Sequence, residues 1–588
     1  MCGITGWQYS PGTEPDPGAL ARMALALRHR GPDSEGFYRE PSHGLALAHR
    51  RLSIIDLSAG SHQPMVDAST GMVLSYNGEL YNFQALGREL QLLGHRFQST
   101  GDTEVVLRSF IEWGIDCLSR FAGMFALALW DPRTATLHLA RDATGMKPLY
   151  LHATDQGVAF ASELKAFNHL PGFVAQIDPA GLQQYLEFGY VFAERGTMLQ
   201  GVQKLPPGHR LALRGGKIVD RQCWFVPPAP DAGDLRGEAD RVAELSSTLD
   251  QVVSEHLIAD VPVGMLLSGG LDSSVLAALA ARRGPLTTLC MGFGDSDIDE
   301  RGHARQVAEH IGARHLDVLI SPQQVKQEVQ SSAWVFDDLF ADWGTISTRL
   351  LYRRCREMGI KVVLVGEGAD ELFGGYDKFH VPTRMGLWQQ FQLYQRYAGR
   401  RHGRLFGEFR TVFNEYLMAG GGDSFHAVRL FESRRQLPNQ YVMKVDKASM
   451  AESVEARAPY LDRRVAELAY RTPPAWLHRA GENKYLLRAV SRQHNLLPKA
   501  ISARKKFGAP LAASWMDDDP EFRGFARDLI LAAGSQTEKA GLAPAMRAYF
   551  DEGRAGYPFP AAISIFSNLA WRLLLLELWA QSYLRPAA

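Results

Sequence analysis

Apolar and polar positions change their rhythm part-way along the chain. Up to about residue 210, short apolar runs at 72–76, 124–130, 136–140 and 158–161 predict β-strands. Helical spacing of apolar residues at 19–27, 83–93 and 103–113 predicts helices among them. Strands grouped beside helices predict a layered α+β domain over residues 2–210. A proline-, glycine- and aspartate-rich stretch at 227–237 then breaks the pattern, and residues 211–240 are assigned to a linker. From 241 to 588 strands (261–267, 287–293, 314–320, 361–365) alternate with helices (273–282, 302–311, 345–358). That alternation predicts an α/β domain with a parallel sheet, followed by a largely helical C-terminal part. The apolar run 569–584 is broken by Arg572 and Glu577. It is shorter than the roughly 20 residues that span a bilayer, so it predicts a buried helix and no membrane association.

Composition narrows the function. A chain of 588 residues exceeds what one hydrophobic core supports. Lys plus Arg and Asp plus Glu both number 64, a balance that gives no reason to expect a nucleic-acid partner. The five cysteines lack CxxC spacing, which argues against a disulfide framework and a structural zinc site. The opening Met-Cys-Gly-Ile-Thr-Gly is not a basic segment followed by an apolar one, so the expectation is a cytoplasmic protein acting on small molecules.

Cys2 is the first candidate nucleophile. Removal of Met1 would give it a free α-amine, of pKa roughly 7.7–8.0, within reach of its own thiol. Nucleophile and base would then come from one residue. Asn77 and Gly78, in Tyr-Asn-Gly-Glu at an expected strand end, offer a carboxamide and a backbone N–H for an oxyanion. Arg51 suits an α-carboxylate, and Glu79 and Asp102 suit an α-ammonium. Together with MCGITG, the segments RHRGPDSEG (28–36), HRRLSIIDL (49–57), NGELYN (77–82), TGDTE (100–104), GMFALALWD (123–131) and ARDATGMKPLY (140–150) resemble the class II glutaminase domain of asparagine synthetases. The resemblance implies an N-terminal nucleophile glutaminase sandwich, with Cys2 as nucleophile, Asn77 and Gly78 as oxyanion hole, and Arg51, Asn77, Glu79 and Asp102 around glutamine.

A second chemistry begins at Leu266-Leu267-Ser268-Gly269-Gly270-Leu271-Asp272-Ser273-Ser274, at a strand end opening a helix. Paired glycines admit backbone N–H groups to a phosphate, and the serines and helix N-terminus add donors. Asp272 in an anion site calls for a cation, hence Mg²⁺. The order is neither a Walker loop nor a dinucleotide fingerprint. SGGLDSS resembles the ATP pyrophosphatase loop of the adenine nucleotide alpha hydrolase-like fold. Val365-Gly366-Glu367-Gly368-Ala369-Asp370 follows another strand end and would bring Asp370 in as a second metal ligand. Activating a carboxylate through the α-phosphorus gives an acyl-adenylate and pyrophosphate.

The resemblance continues through MKVDKASMAESVEARAPYLD (443–462) and RKKFG (504–508), nearly the whole chain, and identifies it as similar to glutamine-hydrolysing asparagine synthetases of the bacterial type. It implies ATP contacts at Leu266, Ser268, Gly269, Gly270, Asp272, Ser273, Met291 and Gly366. Glu367 would take a proton from attacking ammonia, and Lys484 would supply a cation to the phosphates. It also implies an ammonia tunnel and, in many members, a homodimer. Arg457 and Thr345 are the expected acceptor ligands, aspartate being the expected acceptor. Ala458 and Tyr460 depart from the Val and Phe of the family pattern, and 341–349 carries Trp343 and no proline. These departures leave open another carboxylate, such as a uronic sugar or a secondary-metabolite acid. A non-catalytic sensor of glutamine or nucleotide is the remote alternative, and retention of Cys2, Asp272, Glu367 and Asp370 argues against it.

Overall fold

The computed structural model describes residues 2–584, apart from 232, 293–298, 332, 343, 381–386, 388–390, 392–401, 505–518 and 553–568. The first half is built on two six-stranded antiparallel sheets. One runs from edge to edge through Val202–Lys204, Tyr150–Ala153, Gly157–Ala161, Gly3–Tyr9, Leu45–Arg51 and Ser34–Glu40. The other runs through Lys217–Cys223, His209–Arg214, Thr136–Arg141, Gly123–Asp131, Val73–Leu80 and Met65–Val66.

Side-chain alternation explains why these sheets stack. Ile4, Leu47, Val73, Ala126, Ala128 and Trp130 share one buried cluster between the sheets. Their neighbours Leu74, Tyr76, Phe125, Leu127 and Leu129 point the other way, into a cluster with residues of helices Phe83–Leu92 and Asp102–Trp113. Trp7, Ala46 and Ala48 pack on the opposite outer face with helix Pro17–Ala26. Strands apolar on both faces must be covered twice, and the result is a helix–sheet–sheet–helix sandwich.

This sandwich extends past residue 210, where the sequence pattern closed it. Lys217–Cys223 pairs with His209–Arg214, which pairs in turn with Thr136–Arg141. The last strand is an edge with mostly polar, partly exposed side chains, so no apolar run marks it. Residues 224–231 and 233–237 hold no helix or strand, and helix Glu238–His256 then begins the second half.

The second half has a five-stranded parallel sheet, ordered Arg314–Leu319, Thr287–Gly292, Val263–Leu266, Val362–Leu364 and Glu455–Arg457. Helices such as Leu271–Ala281 and Arg301–Ile311 make the crossovers. Helix Leu569–Tyr583 is buried nearly throughout, as its apolar run predicts. Among the described residues, no helix is long and apolar enough to cross a membrane.

Candidate active sites

The first strand delivers Cys2 to the seam between the sheets, where the residue is 6% exposed. Its backbone N–H donates to Asn77 Oδ1 across 2.9 Å. That bond orients the carboxamide, and Asn77 Nδ2 is then buried without a hydrogen-bond partner among the described residues. A buried unpaired donor beside a nucleophile is what an oxyanion site requires before substrate arrives. Asn77 and Gly78 lie within Val73–Leu80 and not at its end, because Gly78 still pairs with Phe125. A Cβ at 78 would overlap that neighbouring strand's backbone.

Burial raises the Cys2 thiol pKa, opposed by the positive N-terminus, a Leu52 backbone hydrogen bond and Arg51. A thiol with a raised pKa needs a base before it can act as a nucleophile. Arg51 donates to the carbonyls of Asp56 at 2.5 Å and Ser58 at 3.0 Å, so a tight turn fixes its guanidinium. Glu79 Oε2 is buried and has no hydrogen-bond partner among the described residues. Burial, then Glu455, lifts the Glu79 pKa well above the ordinary carboxylate range. Burial also lifts Asp102 to about 6, although Leu80 N–H donates to it at 2.8 Å. Two buried carboxyls whose pKa values are pushed up form a cage that gains from a bound ammonium.

The candidate phosphate loop follows strand Val263–Leu266. Ser268 and Ser273 hydroxyls lie 3.1 Å apart, and Gly270 N–H donates to Ser268 Oγ at 3.3 Å. Gly269 takes φ +70°, where a Cβ would collide with the backbone at 303–304. Gly366 packs on this loop: a Cβ there would stand 3.0 Å from Ser273 N and 3.4 Å from Asp272 Cβ. The second loop therefore touches the first, and Asp370 joins Asp272. Lys484 Nζ sits between them, 2.6 Å from Asp272 Oδ2 and 2.5 Å from Asp370 Oδ1. Lys484 itself adopts φ +54°, a conformation that persists in a non-glycine residue only where surroundings impose it. Among the described residues there is no group of three or more metal-ligating side chains. Two converging carboxylates nonetheless fit Mg²⁺, which takes one or two carboxylates and completes its shell with water and phosphate. Met291 lies near the end of the neighbouring strand Thr287–Gly292, and Glu367 is half-buried near Tyr352, whose hydroxyl has no hydrogen-bond partner among the described residues.

The expected acceptor ligands lie on different elements. Thr345 is the second residue of helix Gly344–Glu357, and its Oγ1 is buried without a partner among the described residues. Arg457 is fully buried and engages Glu455 at 2.5 Å and the carbonyls of His256 and Ile258 at 2.7 Å each. Its Nη2 faces Glu79 at 3.5 Å, so the guanidinium stands on the glutaminase side of the seam. Three residues on, Tyr460 OH donates to the Asp272 carbonyl at 3.0 Å. One short segment thus reaches both candidate sites. Trp343 and residues 505–508 lie outside the described residues.

Sequence reading passed over Arg30, which is completely buried. It donates to Cys2 carbonyl at 3.0 Å, to Glu163 at 2.7 Å and to Asp446 at 2.7 and 2.9 Å. Lys447 beside it pairs with Asp337 at 2.9 Å. Segment 443–462 is mostly buried and carries charges, whereas in 28–36 only Arg30 and Gly31 are buried, so Arg30 has no burial signal from its neighbours.

A glutaminase-type sandwich and a phosphate-loop α/β domain, sharing one buried seam, define a glutamine-dependent ligase. Residues 1–224 match the glutamine amidotransferase domain family and residues 244–581 match the asparagine synthase family. A putative glutamine-hydrolysing asparagine synthetase of Mycobacterium tuberculosis (strain ATCC 25618 / H37Rv) is 31% identical, covering 98% of this chain and 97% of its own. Asparagine synthetase 1 of Bacillus subtilis (strain 168) is 29% identical over 90% of each chain, and asparagine synthetase B of Escherichia coli (strain K12) is 30% identical over 84% of this chain and 79% of its own. The chain belongs to the asparagine synthase family.

Proposed function

We propose that this protein hydrolyses glutamine at Cys2 and delivers the ammonia to a carboxylate activated by ATP as an acyl-adenylate, with aspartate as the acceptor. The observation that carries the reading is Lys484 held between Asp272 and Asp370 on a glycine-rich loop, in the same chain as the Cys2–Asn77 pair.

With Met1 removed, the Cys2 α-amine takes the thiol proton and the sulfur attacks the glutamine carboxamide. Asn77 Nδ2 and the Gly78 N–H hold the oxyanion, while Arg51 binds the α-carboxylate and Glu79 and Asp102 the α-ammonium. In the second site, Ser268, Gly269, Gly270 and Ser273 cradle the pyrophosphate part of ATP, with Leu266, Met291 and Gly366 against the nucleotide. Asp272 and Asp370 would hold Mg²⁺, which when bound offsets charge on the departing pyrophosphate. Lys484 adds a cation at the same phosphates, and Glu367 accepts a proton from ammonia as it attacks the acyl carbon.

The relatives' names support aspartate, and so does Tyr460. Its hydroxyl is committed to the Asp272 carbonyl, so the exchange of Phe for Tyr at this position does not present a new polar group to an acceptor. The unpartnered Thr345 hydroxyl remains as an acceptor contact. Incubation with glutamine, ATP, Mg²⁺ and aspartate should yield asparagine, AMP and pyrophosphate in equal amounts. Inert aspartate, with AMP release supported by a different acid from a panel, would overturn the acceptor.

A further inference from the structure

Glutamine binding in this reading depends on where Arg51 points, and the turn that aims it is held from the other half of the chain. Asp56 sits at φ +52°, and its carbonyl is the 2.5 Å acceptor of the Arg51 guanidinium. Asp tolerates that conformation better than most residues, and here its own carboxylate, accepting the Ser58 N–H at 3.0 Å and the Thr100 N–H at 2.9 Å, holds it together with neighbours. One such neighbour is Asp260, whose carboxylate accepts the Asp56 N–H at 2.7 Å. The Asp260 N–H in turn donates to the Ile54 carbonyl at 2.9 Å. Asp260 is otherwise an exposed loop residue.

The residues just before Asp260, from the end of helix Glu238–His256, reach toward Glu79. His256 stacks on Tyr81, ring centroids 3.5 Å apart and planes 22° from parallel. The His256 and Ile258 carbonyls anchor Arg457, whose remaining nitrogen faces Glu79. Past Pro262 the chain enters strand Val263–Leu266 and then the phosphate loop. Residues 256–260 therefore bear on Arg51 through Asp56 and on Glu79 through Arg457, and run directly into the proposed nucleotide site.

We infer that Asp260 is a positioning residue for glutamine: by pinning the 54–58 turn it sets the Arg51 guanidinium for the substrate carboxylate, so the ligase half shapes the glutaminase pocket. This rests on the function proposed above. Asp260 touches no substrate, so its removal should act on binding and not on the thiol chemistry.

The test is steady-state glutamine hydrolysis by full-length Asp260→Ala, Asp260→Lys and Asp260→Asn, with ammonia-supported amide formation measured in parallel. Loss of one hydrogen bond predicts a rise in glutamine KM of roughly three- to tenfold in the Ala and Lys variants. Glutamine kcat and the ammonia-supported rate should stay within about twofold, as for an exposed substitution. Asp260→Asn should keep the wild-type KM, because its carboxamide oxygen accepts the same N–H. An unchanged KM in Ala and Lys, an Asn variant as impaired as Ala, or an equal fall in the ammonia-supported rate would each overturn the inference. Wild-type protein without glutamine hydrolysis would instead contradict the proposed function, so the two failures are distinguishable.

Discussion

The Cys2 N–H donates to the Asn77 side-chain oxygen at 2.9 Å, and that single bond decides which end of the carboxamide faces the substrate. In the proposed function, the backbone of the nucleophile would thereby aim the oxyanion donor through one contact between adjacent sheets. Asn77→Ala should lower glutamine kcat by about 10²–10³, with a smaller change in KM. Ammonia-supported amide formation should persist, and comparison of the two nitrogen sources checks it.

Asp102 gives a pH signature. Its carboxyl ionises near 3.8 in an unperturbed chain and at about 6 in the fold, chiefly through burial. Between those values the folded protein holds a proton that the unfolded chain has lost, so stability falls as pH rises through this window. Asp102→Asn should therefore raise the thermal midpoint at pH 7 relative to wild type. The same change should weaken glutamine binding, and in the wild type glutamine KM should rise as pH drops below about 6, where Asp102 loses its charge.

Gly375 backs the pair formed by Asp370 and Lys484. A Cβ there would overlap both Asp370 Oδ1 and the Lys484 stem. Gly375→Ala should cut acceptor-dependent AMP release by two orders of magnitude or more, since about 2.7 kcal/mol of misplacement suffices. Glutamate release at Cys2 should continue, and assaying both products in one sample separates the effects.

Arg30 joins the halves. Replacing it by Met removes one buried partner from Glu163, which keeps His29, Lys165 and Lys447, and from Asp446, which keeps Lys147 at 3.6 Å, so the loss is below the roughly 3–5 kcal/mol of a fully uncompensated buried charge. Thermal unfolding of Arg30→Met should begin at a distinctly lower temperature, and glutamine hydrolysis should fall because the Cys2 carbonyl loses its donor.

The elements that position both sites were legible because their signals are local. Short apolar runs at 72–76 and 124–130 mark the strands Val73–Leu80, though only as far as Tyr76, and Gly123–Asp131, and SGGLDSS marks a strand-to-helix turn by its own glycines. Residues whose partners are distant in sequence were harder. Arg457 is hundreds of positions from Glu79, and only the folded seam shows which carboxylate it faces. The strand Lys217–Cys223 was invisible for another reason: a polar edge strand lacks the apolar contrast on which pattern reading depends. Asp260 carries no local signal, because its partner Asp56 lies in the other half of the chain.

The most direct test of the account follows the nitrogen. The protein is supplied with glutamine carrying heavy nitrogen in its side-chain amide, together with ATP, Mg²⁺, aspartate and excess unlabelled ammonium, and the product is read by mass spectrometry. The account predicts asparagine labelled in its amide, formed in step with AMP, with the label abolished and the unlabelled product retained in Cys2→Ala. Product carrying only unlabelled nitrogen, or formed with ADP in place of AMP, would contradict it.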